Sequence, residues 1–367
     1  MGSPARHLLM TTDAVGGVWQ YSIDLAAALA EAGWRTTLAV LGPHPSSEQQ
    51  RQVERIAGAR LIETGLPLDW LADSEHFVER AATELATLVQ QIEADLAHCN
   101  APAYAGATEW PVPLVAAAHG CVATWWDDVR RSPLDSAYRW HGELVRRGLL
   151  AADAVIAPSR AFAETLRRTY ALPFTPAAVH NGRRTRPTTA GGNPVVEALT
   201  VGRLWDEAKN AAVLDRAAAI AKTPILAAGA LRGPHGETFV PAHLQALGEV
   251  SENELAAMLA RRPVFVSAAT FEPFGLAVLE AAAAGCALVL SDIPTFRELW
   301  DGAAVFVSAT DDAGFAQSIE AIAADAPLRA ELGRKAAARA SRYTPDACAA
   351  QTAAIYQRLL ARQEVAA

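Results

Sequence analysis

Residues 6–41, RHLLMTTDAVGGVWQYSIDLAAALAEAGWRTTLAVL, decide the fold. Residues 6–10 form a short apolar run of the kind a strand shows when both its faces are covered. TTDAVGGVWQ then supplies a glycine turn. From residue 18 to residue 32 apolar side chains recur at helical spacing, Gly33 stands where a helix C-cap belongs, and residues 36–41 make the next strand. Strand, glycine loop, helix, strand is the opening of a parallel sheet with right-handed crossovers.

The alternation continues outward from there. Residues 78–92 have a helical period, 113–118 form a strand ending at His119, and 154–157 a strand ending at Pro158 and Ser159. Residues 185–194, TRPTTAGGNP, have no hydrophobic period and read as a linker. Beyond them strands are expected at 198–201, 225–228, 264–267, 287–290 and 304–307, with helices between, and 345–360 is helical in pattern. The fold class is α/β, with two Rossmann-like parallel-sheet domains at 1–184 and 195–344. The chain's 367 residues suit two domains, each with a core large enough to need no disulfide or metal staple.

Composition removes several function classes. With 32 basic and 40 acidic residues the formal charge is −8, so there is no global electrostatic case for binding nucleic acid. Cys99, Cys121, Cys286 and Cys348 are widely scattered and match no zinc or redox spacing; they read as buried thiols in a reducing compartment. The first residues lack the apolar run of a signal peptide and nowhere do about 18 uncharged apolar residues follow one another, so a cytoplasmic protein is expected. Within residues 127–186, 11 Arg face 6 acids, a local +5 that suits weak contact with an anionic acceptor or a membrane surface and equally a solvated helix face.

The strongest chemical signal is residues 265–280, FVSAATFEPFGLAVLE. It reads as a strand, a loop holding Glu272, and a helix starting near Gly275, so that main-chain N–H groups from Phe274 through Leu276 to Ala277 are open to an anion or a sugar hydroxyl. Glu280 follows within that helix. Capping would explain acids near a helix N-terminus, but gives no reason for the Pro-Phe-Gly between them. Residues 201–210, VGRLWDEAKN, lead from a strand into a polar loop with two cations, Arg203 and Lys209; the chain has only three lysines and places one here. Gly16 and Gly17 would let a backbone approach a phosphate, though they do not complete G-x-G-x-x-G.

These phrases resemble the retaining glycosyltransferases of family 4, which have the GT-B fold of two Rossmann-like domains facing across a cleft, with a C-terminal helix returning to the N-terminal domain. Glu272, Pro273, Phe274, Gly275, Leu276, Glu280, Ala281, Ala283 and Gly285 all match that family's E-P-F-G-L-x-x-x-E-A-x-A-x-G phrase. The resemblance implies that residues 345–367 pack back on the first domain. It also implies that Glu272 and the loop N–H groups hold the transferred sugar and that Glu280 accepts from the nucleotide ribose. Arg203 and Lys209 would meet the donor diphosphate, although the family places that lysine five residues after the arginine and here it is six. Gly16 and Gly17 would face the donor, His119 the sugar, and the loop at Val250 the base. Ser159 and Asn181-Gly182 match recurrent phrases that are architectural, an N-cap and a turn.

Acceptor clues are sparse. Trp125, Trp126 and Asp127 follow the His119 strand and suit either an acceptor cleft or a buried helix face. None of the 17 aspartates forms Asp-x-Asp and no histidines cluster at ligand spacing, so no metal and no cofactor are expected, the nucleotide diphosphate sugar being a co-substrate. The resemblance implies an acceptor hydroxyl on a glycan, lipid or small molecule. The expected activity is metal-independent transfer with retention at the anomeric carbon. Its rivals are an epimerase or hydrolase of the same fold and a catalytically silent nucleotide-sugar-binding subunit.

Overall fold

The computed structural model describes residues 6–184, 196–234 and 236–366. The expected linker at 185–194 lies outside the described residues. The chain divides into two compact units, Met1–Arg183 with Thr344–Ala367, and Arg184–Tyr343.

Among the described residues the first unit carries seven parallel strands: β1 (His7–Asp13), β2 (Arg35–Leu41), β3 (Ala59–Glu63), β4 (Leu96–Cys99), β5 (Leu114–Ala117), β6 (Ala154–Ala157) and β7 (Ala177–Ala178). Their order is β3-β2-β1-β4-β5-β6-β7. The direction of winding reverses between β1 and β4, and it is at the carboxyl ends of strands flanking such a switch that α/β sheets hold ligands. β1 runs three residues further than its apolar run, because Thr11 and Thr12 are buried in the ladder with β2 rather than in the glycine turn. The helix Gly17–Glu31 ends as expected: Gly33 has φ +84°, and the Trp34 N–H reaches back to the Leu29 carbonyl at 3.0 Å, closing a Schellman motif.

Against that helix lies the C-terminal helix, Pro345–Ala366. Its residues Cys348, Ala353, Tyr356, Leu359 and Leu360 join Leu25, Leu29 and Trp34 in one buried cluster, with the Trp34 and Tyr356 rings edge to face at 5.2 Å. Burial of that side is what binds residues 344–366 to the first unit.

The second unit repeats the plan with β8 (Ala198–Val201), β9 (Ile225–Ala228), β10 (Gln245–Gly248), β11 (Val264–Ser267), β12 (Leu288–Ser291) and β13 (Val305–Val307), in the order β10-β9-β8-β11-β12-β13. Its switch lies between β8 and β11. Separate apolar clusters cover the two faces of the sheet, one around Val264, Val266, Val289 and Phe315, the other around Phe265, Leu288, Leu290 and Trp300.

Four strands, β3, β4, β7 and β10, were not expected from the sequence. β10, which ends at Gly248 just before the loop at Val250, is an edge strand whose Gln245, Ala246 and Leu247 are exposed. All four cysteines are buried free thiols. Among the described residues no helix is long and apolar enough to cross a membrane.

Candidate active site

In the second unit the chain leaves β8 at Gly202 and β11 at Ala268, on either side of the switch. Lys209 Nζ donates to Glu272 Oε2 at 2.6 Å, joining the two sequence motifs across 63 residues. Lys209 ends a 3-10 turn, Glu207–Lys209, whose N-cap Asp206 accepts from the Ala208 N–H at 3.0 Å. Asn210 then adopts φ +55°, and its amide donates to the Ala268 carbonyl at 2.9 Å and the Ala309 carbonyl at 2.7 Å. Sequence reasoning passed over Asn210, yet it ties the loop after β8 to the loops after β11 and β13.

Arg203 stands half exposed, its Nη2 on Asp206 Oδ2 at 2.9 Å and its guanidinium 5.6 Å from the Trp205 ring centre. Behind it the loop after β9 presses in: Gly229 has φ +135°, and a Cβ there would stand 1.8 Å from the Gly202 carbonyl oxygen. Only glycine fits. At Gly275 it is the backbone that favours glycine, with φ +92°, while a would-be Cβ would stand 3.4 Å from Glu272 Cγ and 3.2 Å from the Phe296 ring.

Gly275 is the N-cap of the helix Leu276–Ala283 and supplies no side-chain cap, so first-turn N–H groups are left to an outside acceptor. Phe274 is buried against Tyr343, which leaves only its main chain for a ligand. Leu276 is half-buried against the same core, and Glu280, also half-buried, follows one turn on. Val250 packs its side chain on that core too, just before the Ser251–Glu254 capping box of the helix Glu252–Ala260.

In the first unit Asp13 ends β1, and its Oδ1 accepts from the Val15 N–H at 2.9 Å, shaping the loop before Gly16. The conformational argument for Gly16 fails: its φ is −175°, extended backbone open to any residue, and no protein atom lies within 4 Å of a would-be Cβ. What the position offers is open space. Gly17 is the first helical residue.

His119 follows β5, half-buried, its ring 4.3 Å from that of Tyr21 and its Nε2 2.9 Å from Asn100 Oδ1. Asn100 follows β4, so the structure brings together the ends of β4 and β5 beside the switch in this sheet too. Burial, with His98 nearby, pulls the His119 pKa down to about 3.

Trp125 and Trp126 lie on the helix Val122–Val129, half-buried rather than sealed, with Arg130 at 5.6 and 5.8 Å from their ring centres. Exposed Asp127 accepts from the Thr169 hydroxyl at 2.7 Å. Ser159 is an N-cap, accepting from the Phe162 N–H at 3.1 Å. Several arginines of the local basic excess are paired: Arg147 with Glu75, Arg167 with Glu164, and Arg183 with Asp24. Among the described residues no three His, Cys, Asp or Glu side chains converge as a metal site.

Two Rossmann-like parallel-sheet units have the architecture of a GT-B protein. Residues 15–185 match the family described as Glycosyltransferase Family 4 and residues 197–339 that described as Glycosyl transferases group 1. The chain belongs to the family 4 glycosyltransferases. Among solved structures it is similar to sucrose-phosphate synthase from Thermosynechococcus elongatus, with TM-score 0.78, 18% identity, and coverage of 97% of this chain and 100% of that one. It is similar too to Anabaena HepE in complex with UDP-glucose, with TM-score 0.71, 17% identity, and coverage of 96% and 100%. At such identities the likeness is one of fold. A curated relative, the phosphatidyl-myo-inositol mannosyltransferase of Mycolicibacterium smegmatis, is 36% identical over 118 residues, a stretch spanning 31% of this chain and 31% of that protein.

Proposed function

We propose that this enzyme moves a hexose from a nucleotide diphosphate sugar to an acceptor hydroxyl, with retention at the anomeric carbon and without a metal. The observation that carries the reading is the Lys209–Glu272 pair at the switch of the second sheet, beside Arg203 and the uncapped helix Leu276–Ala283. One small region thus offers cations for a diphosphate, a carboxylate for sugar hydroxyls and free N–H groups. The solved relative HepE binds UDP-glucose and the curated relative is a mannosyltransferase, both consistent with such a donor.

In this reading the donor's diphosphate takes Lys209 and Arg203, and Glu272, released from Lys209, accepts from the sugar hydroxyls. Glu280 accepts from the ribose. The bond between the anomeric carbon and the phosphate oxygen breaks as the two cations meet the charge growing on the leaving group. The acceptor oxygen bonds to the anomeric carbon on the face just vacated, and its proton passes to the departing phosphate oxygen. Glu272 and Glu280 are both taken by donor hydroxyls, which is why same-face transfer is favoured over double displacement. Metal independence rests on the cation pair and on the lack of Asp-x-Asp in the sequence.

The test is incubation with a panel of nucleotide sugars, with and without acceptor extract and with EDTA. Nucleoside diphosphate should be released only when acceptor is present, survive the chelator, and accompany a product whose anomeric proton signal matches the donor's configuration. Release without acceptor would make the protein a hydrolase. Loss with EDTA restored by magnesium, or an inverted product, would defeat the corresponding half of the reading.

A further inference from the structure

His119 sits at the front of a buried chain of hydrogen bonds that fixes more than its position. Asn100 Nδ2 donates to the Thr11 carbonyl at 2.6 Å and to Ser22 Oγ at 3.1 Å. A carbonyl can only accept, so the amide has one orientation and its Oδ1 faces the histidines. That oxygen meets His119 Nε2 at 2.9 Å and His98 Nε2 at 3.1 Å. An amide oxygen cannot donate, so both rings carry their proton on Nε2. His98 Nδ1 is left to accept, and the hydroxyl of Tyr356 on the C-terminal helix stands 2.6 Å from it.

The other His119 nitrogen, Nδ1, has no partner among the described residues and is not one of the sealed polar atoms, so a ligand can reach it. We infer that Asn100 is a positioning residue which locks His119 as the neutral Nε2–H tautomer, so that the ring presents a lone acceptor, Nδ1, to a hydroxyl of a bound ligand. His98 and Tyr356 anchor Asn100 from behind. The inference rests on the proposed transferase activity for its turnover readout, and its chemistry is specific: a hydroxyl can donate to this nitrogen, whereas a carboxylate or phosphate placed there meets a lone pair.

The surroundings keep the ring uncharged. The titratable groups packed around the chain are Tyr21 from the helix Gly17–Glu31, His98 at the end of β4, and Cys348 and Tyr356 from the C-terminal helix. Burial raises the pKa of both tyrosines and of the Cys348 thiol, the latter to about 11, and lowers that of His98 to about 4. All four are uncharged at neutral pH.

The experiment uses the full chain labelled with 15N-histidine, with two-bond proton–nitrogen spectra recorded between about pH 5.5 and 8. His119 is assigned from the signals absent in His119→Gln. Its pattern should be that of neutral Nε2–H throughout; an Nδ1–H pattern, or an imidazolium at pH 6, overturns the inference. In Asn100→Asp the carboxylate favours the cation, so His119 should titrate within this range and donor-panel turnover should drop at least ~10-fold at pH 6 relative to wild type, recovering toward pH 8. A pH-independent ratio of variant to wild-type turnover overturns it as well. If Asn100→Asp does not fold, the wild-type spectrum decides alone. Full turnover by His119→Ala would remove His119 from the reaction while leaving the tautomer result standing, so the two failures are distinguishable.

Discussion

Replacing Lys209 by Met keeps the side-chain stem beside Gly202 and removes only the ammonium, leaving the Glu272 carboxylate without its 2.6 Å partner. Breaking a fully buried pair costs about 3–5 kcal/mol, and an exposed pair contributes about 0–1. These side chains are 23% and 16% exposed, so the pair falls between the two limits. A loss of about 1–3 kcal/mol follows, or roughly 2–12 °C in the melting temperature for a unit of this size. Turnover is a separate matter. If the ammonium meets the departing diphosphate, its removal should cost about 10²–10³ in kcat, the effect of deleting one charge-stabilising donor.

The double variant Lys209→Met with Glu272→Gln separates the two effects. It has no orphaned carboxylate, so the melting temperature should recover while turnover does not. Calorimetry and nucleoside diphosphate release measure each. A folded Lys209→Met with kcat within about threefold of wild type would refute the argument that this cation acts on the leaving group.

Other outcomes follow from single positions. Gly229→Ala should destabilise the second unit by about 2–5 kcal/mol, from a positive φ and a Cβ overlapping the Gly202 carbonyl, and should impair donor binding beside Arg203; urea denaturation and donor titration check both. Arg203→Ala should lower turnover more than donor affinity, seen as a fall in kcat with little change in KM. Tyr356→Ala should cost about 3–5 kcal/mol by emptying a fully buried site between the C-terminal helix and Trp34, read as a lower unfolding midpoint. Acid should destabilise the first unit. His98 and His119 have folded pKa values of about 4 and about 3, below the unfolded value near 6.5, so the unfolded chain binds more protons as pH falls through 6 and 5. Each histidine then costs up to about 1.4 kcal/mol per pH unit across that window, and His98→Gln should flatten the dependence of melting temperature on pH.

How much of this was legible beforehand differs by element. β8, β9 and β11 were read with their observed bounds because each is a short apolar run closed by polar or glycine residues. β10 was invisible for the opposite reason: its side chains are exposed and it is held at the sheet edge by pairing with β9, which leaves no hydrophobic trace. β4 was missed although fully buried, because it is four residues long and includes His98. What makes a histidine acceptable there is Tyr356, 258 residues away, which no local window contains. The same distance hid Asn100, whose partners come from β1, the first helix and the loop after β5. The Glu272 and Glu280 phrase, by contrast, lies within one strand-loop-helix unit and its placement follows from the sequence alone. Lys209 is intermediate. Its spacing from Arg203 departs from the family phrase, and only the structure shows its ammonium on Glu272.

The central claim is that the carboxyl ends of β8 and β11 hold a nucleotide diphosphate. Its most direct test is calorimetric titration of the full chain with UDP, GDP and ADP in EDTA, for wild type, Arg203→Ala and Glu280→Ala. At least one of the three should bind the wild type, and Glu280→Ala should weaken that binding at least ~10-fold, equivalent to about 1.4 kcal/mol for the lost ribose contact. Binding of none of them, or equal affinity in all three proteins, would contradict the account.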